Sequence, residues 1–205
     1  VNWKLIIKDK ATQPEKGIYT DWKEQIAEEC FFQCIYCSIN EAQFGGIDHY
    51  HIEHYKPKSI EKFKALENDI CNLFYSCPIC NRFKSNDWPN DADDLDIICY
   101  PDPSEYNYSE LFEISSDDYK VNGKYISTRY MTERLYLNRP QLLYERRETV
   151  LQQRAENVTK AIESLQEIID TKELLKESNK GIIELLKTTQ KRNNIRPYKL
   201  AEIRK

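Results

Sequence analysis

Two Cys-x-x-Cys pairs, Cys34-Ile-Tyr-Cys37 and Cys77-Pro-Ile-Cys80, constrain this chain more than any other feature. Each pair sets two sulfurs on one tight turn, and two such turns complete a tetrahedral all-thiolate site for structural zinc. A site of that kind is closed, so it holds structure and leaves catalysis to other groups. A disulfide framework fits less well, because the cysteines number 7 and four of them are spent on the paired spacing. Two thioredoxin-like dithiols would require a βαβ context that the pattern lacks. Cys30, Cys71 and Cys99 are then expected to be partly buried free thiols.

All 3 histidines fall within "HYHIEHYKP", His49 to Pro57. Cys34 and Cys37 followed by His49 and His54 nearly match a zinc finger with two cysteine and two histidine ligands. That finger needs its histidines one turn apart on a helix. Here they lie in a Tyr- and Ile-rich stretch that follows the Gly45-Gly46 turn and ends at Pro57, which suits a strand better. The finger would also leave Cys77 and Cys80 without a purpose. With zinc assigned to the four cysteines, the histidines are free for other chemistry.

The 205 residues are 40% hydrophobic and 31% charged, enough for a core. No stretch approaches the roughly 18–20 apolar residues of a membrane helix, no signal peptide is recognised, and a cytoplasmic location is expected. The formal charge of −4 is unevenly spread. Residues 86–118 carry many acids and no Lys or Arg, whereas Lys56, Lys58, Lys62, Lys64, Arg82 and Lys84 flank the motifs, and the last residues are basic. Helical spacing predicts a short helix around Trp22–Cys30 with Asp21 as cap, a second after Ser59 and a third entered from the Cys77–Cys80 knuckle. A turn is predicted at Asn122-Gly123. Long helical patterns follow from Thr132, with apolar stripes at Leu142, Leu143, Val150 and Leu151 and at Ile182, Ile183, Leu185 and Leu186, whose simplest arrangement is an antiparallel pair. The expected organisation is a first domain over 1–95, an irregular acidic connector over 96–130 and a helical region over 131–205.

Glu53-His54-Tyr55-Lys56-Pro57, then Asn72-Leu73, then Cys77-x-x-Cys80-Asn81-x-x-Lys84 stand in the order of the HNH endonuclease motif, which the stretch from about Cys34 to Pro89 resembles. The resemblance implies an α+β fold: a ββα-metal core of a two-stranded hairpin and a helix, braced by zinc knuckles, with a mostly α-helical C-terminal region. It implies hydrolysis of phosphodiester bonds in nucleic acid, with DNA favoured over RNA. His54 would be the general base that takes a proton from water. Glu53 and Asn81, hard oxygen donors, would hold a catalytic Mg²⁺ or Mn²⁺ that relieves phosphate charge. Asn72 would brace the loop between the hairpin strands. His51, on the strand face of Glu53, is a candidate third ligand or neighbour of the ion, and His49 is incidental. Lys84, Lys56, Lys58 and Arg82 are candidate phosphate contacts, against the plainer alternative of solvated surface.

The wider string, including "RYMTERLYLNRPQLLYERR" downstream, is similar to the PtuB-like HNH subunits of Septu-type and retron-associated antiphage systems. That resemblance implies a PtuA-like ATPase partner. The chain itself has 5 scattered glycines and no Gly-rich Lys-Ser/Thr loop, so ATP dependence would come from that partner. The competing class is a zinc-stabilised nucleic-acid- or protein-binding subunit that does not cut; a third is a purely structural subunit built around its long helices.

Overall fold

A computed structural model of the chain describes residues 3–171 and 180–194. It is an α+β protein with two separate two-stranded sheets, and it divides into two compact units, 1–146 and 147–205. In the first unit the elements run α1 (Lys23–Glu29), β1 (His51–His54), β2 (Leu73–Ser76), α2 (Pro78–Lys84), α3 (Tyr108–Leu111), β3 (Phe112–Ile114), β4 (Val121–Gly123) and α4 (Ile126–Arg134). Helix α5 (Pro140–Thr171) starts there and continues into the second unit, which also holds α6 (Lys180–Asn194).

The strands β1 and β2 pair antiparallel, with Glu53 opposite Phe74 and His54 opposite Leu73. The β2 side chains are all buried, and α2 follows after a single residue, Cys77. Pro78 at the first helical turn favours this start, because its fixed φ suits the helix and its missing N–H is no loss there. The glycine turn before β1 is real: Gly45 and Gly46 have φ of 88° and 98°, a region that side-chain-bearing residues avoid. Where the sequence predicts a helix capped by Ser59, the chain forms a 3₁₀ segment over Glu61–Leu66. The Trp22–Cys30 helix is shorter than its pattern, because Tyr19–Trp22 coils as 3₁₀ before α1 begins.

The stretch 96–130, expected as an irregular connector, contributes to the core of the first unit. Tyr100, Tyr108, Leu111, Phe112 and Val121 are buried, and Trp3 stacks on Phe112 at 4.8 Å. The predicted turn at Asn122-Gly123 is displaced: both residues lie in β4, and the reversal between β3 and β4 falls at Ser115–Lys120, with Tyr119 at a φ of 59°. Gly123 serves packing instead, since a Cβ there would lie 2.4 Å from the backbone of Thr128 and Arg129 in α4.

The start of the expected helical region also belongs to the first unit, through buried Met131, Leu135, Leu137 and Leu142. In the second unit Ile162 is buried, while Leu165, Ile168, Ile182 and Leu185 are exposed. The segment 172–179 that would join an antiparallel pair, and the side chains of Ile183 and Leu186, lie outside the described residues. No described helix is long and apolar enough to cross a membrane.

Candidate metal centre and adjoining cavity

The two knuckles converge. The ligand sulfurs of Cys34, Cys37, Cys77 and Cys80 all lie within 4.8 Å of one another, and all four residues are buried. Local backbone explains each half. Ser38, at a φ of 56°, lets its N–H return to the Cys34 carbonyl at 2.7 Å and closes the first turn. In the second, Cys77 caps α2 and its sulfur accepts the Cys80 N–H at 3.3 Å, at the helix end where negative charge is favoured. Four soft donors in a dry setting fit a metal ion such as zinc. The Cys37 and Cys77 sulfurs stand 3.8 Å apart, which matches the edge of about 3.8 Å in a tetrahedron with metal–sulfur bonds of about 2.3 Å. Burial and sulfur–sulfur crowding push the Cys34 and Cys80 thiols up, whereas hydrogen bonds from Cys34, Cys37 and Cys80 pull Cys77 down. A cation held among the four sulfurs would offset the repulsion between their thiolates.

One residue at this centre was missed from the sequence. Arg139 places its Nη1 3.6 Å from the Cys80 sulfur and its Nη2 3.6 Å from Cys37 and 3.7 Å from both Cys77 and Cys80. The thiolates hold its pKa above the usual range against the opposing effect of burial. Arg139 sits in the "LNRPQLL" part of the downstream motif, so a basic residue before a helix-starting proline was the available signal. Of the remaining cysteines, Cys30 and Cys99 are buried and Cys71 is half-buried; burial pushes the Cys30 thiol up to about 12.

A cavity of about 470 Å³ opens beside β1 and α2, lined by Tyr19, Ile52, Glu53, His54, Pro57, Lys58, Ser59, Asn81, Ser85 and Asn86. His54 is held on two sides. Its Nε2 lies 2.9 Å from the Glu67 carbonyl, and Tyr19 meets its ring edge-on at 4.8 Å. A carbonyl accepts and never donates, so Nε2 carries the proton of the neutral ring and Nδ1 keeps a lone pair. Burial lowers the His54 pKa from its ordinary 6.5, with Lys58 and Lys84 acting in the same sense and Glu67 opposing. The ring is thus in base form at neutral pH.

Glu53 lines the same cavity, but its carboxylate is already engaged. Lys84 Nζ lies 2.6 Å from Oε1, and the Tyr36 hydroxyl donates to the same oxygen at 3.1 Å. No hydrogen bond is made by Oε2 among the described residues. Burial raises the Glu53 pKa, against lowering by Lys84 and Tyr36. Asn81, one helical turn before Ser85, also lines the cavity, and its side chain has no hydrogen-bond partner among the described residues.

Lys84 is the main departure from expectation. It is fully buried, donates to the His54 carbonyl at 3.1 Å and lies near the rings of Trp88 and Tyr100, so it contacts Glu53 rather than a phosphate at the surface. The cause is periodicity: three residues after Asn81 on α2, Lys84 returns to the face packed on β1. Asn72 bridges two segments: its Oδ1 accepts the Lys56 N–H at 2.8 Å, and its Nδ2 donates to the carbonyls of Lys56 at 3.0 Å and Leu66 at 3.3 Å. Lys58 lines the cavity, tied to Glu67 at 2.7 Å and to the Tyr19 hydroxyl at 2.8 Å. Lys56 is half-buried and Arg82 exposed; neither lines the cavity. His51 and His49 are exposed and stand outside the cavity lining, so neither is brought to Glu53 and His54 there.

No family model matches the chain, and neither a curated protein nor a solved structure matches it.

Proposed function

We propose that the chain is a metal-dependent endonuclease of the HNH type that hydrolyses phosphodiester bonds in nucleic acid, DNA foremost. One observation carries this reading: a neutral histidine, oriented through Nε2 by the Glu67 carbonyl, shares a cavity with a carboxylate and an amide. His54 takes the proton from water at Nδ1, since Nε2 is committed. Glu67 and Tyr19 fix the ring so that the lone pair keeps its direction. Asn72 clips Lys56 to Leu66 and so steadies the connection between β1 and β2 on which His54 depends. Lys58 supplies positive charge at the rim for a phosphate oxygen. Glu53 and Asn81 would hold Mg²⁺ or Mn²⁺, whose chemistry there is to offset charge on the phosphate and the leaving oxygen. The four-cysteine centre would take zinc and hold α2 against the first knuckle. In this reading a PtuA-like ATPase is the partner, within an antiphage defence complex.

The ion pair between Glu53 and Lys84 favours a second reading, a zinc-stabilised nucleic-acid- or protein-binding subunit without catalysis, because Lys84 already supplies the charge that an ion would. A cleavage assay separates the two. Purified chain is incubated with plasmid, single-stranded DNA and tRNA in Mg²⁺ or Mn²⁺, with and without the ATPase, beside His54→Ala. Loss of a general base lowers the rate by about 100-fold or more. Equal behaviour of the two proteins under every condition sinks the catalytic reading and leaves the binding subunit.

A further inference from the structure

We propose that Arg139 governs metal retention in the four-cysteine centre by donating N–H···S hydrogen bonds to its sulfurs. Four thiolates around a dication keep a net double negative charge in a buried site. That charge must be met by something close. The guanidinium of Arg139 spans three of the four sulfurs, at 3.6–3.7 Å, which is ordinary for nitrogen-to-sulfur hydrogen bonds. Its other contacts are neutral, the carbonyls of Leu135 at 3.3 Å and Tyr136 at 3.4 Å. No carboxylate competes for it among the described residues, so its charge is directed at the sulfurs. A planar guanidinium fork presents its donors pre-organised to several acceptors at once, whereas the donors of a lysine radiate from a single nitrogen on a flexible stem. Buried Arg146 is instead anchored on the Asn138 side chain at 3.1 Å and on the Leu137 carbonyl, and makes no hydrogen bond to the sulfurs among the described residues. The inference holds whether or not the cavity cuts nucleic acid.

Donors around a ligand orient its sulfur and offset the negative charge of the site, and losing such a partner costs about 10–100-fold in metal affinity. The full chain, Arg139→Lys, Arg139→Gln and Arg139→Met are each loaded with Zn²⁺ and titrated with a chelator, and the Co²⁺-substituted forms are followed by their sulfur-to-cobalt charge-transfer band. Arg139→Met should bind Zn²⁺ about 10–100-fold more weakly, with Arg139→Lys and Arg139→Gln between it and wild type. Its cobalt band should also move, which a purely structural cap on the Leu135 and Tyr136 carbonyls would not produce. If Arg139→Met fails to fold, the Lys and Gln variants carry the comparison. Affinities within about twofold of wild type together with an unmoved band overturn the proposal, as does a wild-type chain that takes up neither metal.

Discussion

Lys84 shows how much one residue decides in this molecule. Its ammonium is fully buried and its partner Glu53 is 3% exposed, so neither can recover solvation if the other is removed. The attraction within such a pair roughly offsets the cost of taking both charges out of water, whereas breaking it leaves one charge stranded. Lys84→Met should therefore destabilise the protein by about 3–5 kcal/mol in urea unfolding. Glu53→Gln combined with Lys84→Met should recover much of that loss, because no buried charge remains. Two single-variant losses that simply add in the double variant would show the pair is uncoupled. The Lys84→Met protein, where folded, also bears on the ion site: freed Glu53 Oε1 should increase Mn²⁺ affinity if the carboxylate is a ligand.

Among the elements, those fixed by short-range chemistry were legible in the sequence and those fixed by distant partners were not. The two knuckles, the glycine turn, the strand through His54 and the helix after Cys77 each follow from a few adjacent residues. The β3–β4 hairpin does not, since its surroundings carry no clear period and β4 packs against α4, a later element. Lys84 and Arg139 were misjudged or missed for a related reason: their partners, Glu53 and the sulfurs, come from other segments. Gly123 displays the same dependence and can be tested. Its missing side chain admits the α4 backbone at distances no Cβ tolerates. Gly123→Ala should cost about 1–3 kcal/mol, the usual range for forcing atoms into packed space, seen as a lowered urea midpoint. An unchanged midpoint would mean that β4 and α4 separate at no cost, contrary to the contact described.

At the scale of the whole molecule, the metal centre and the cavity lie in the first unit, and most of the length of the long helices lies in the second. Every cysteine of the centre, every residue lining the cavity, and Arg139 and Arg146 fall within 1–146, and the core that surrounds them draws on residues from Trp3 to Leu142. The acidic stretch is part of that core, so the first unit cannot be cut back to the motif alone. It can be cut at the other end. A chain ending at Glu156 keeps nearly three turns of α5 beyond the boundary, enough to hold Arg146 in its helix. That shortened chain should bind one Zn²⁺ and unfold cooperatively near the full-length midpoint, because metal binding and folding are one free energy where ligands come from separate segments. Chelating the metal should lower the midpoint of both chains alike. If the shortened chain instead loses its cooperative transition while the full chain keeps it, the helical unit is needed for the fold of the first. If it folds as expected, the exposed apolar residues of α5 and α6 serve neither the metal centre nor the cavity, and binding to a partner becomes the use to test for them.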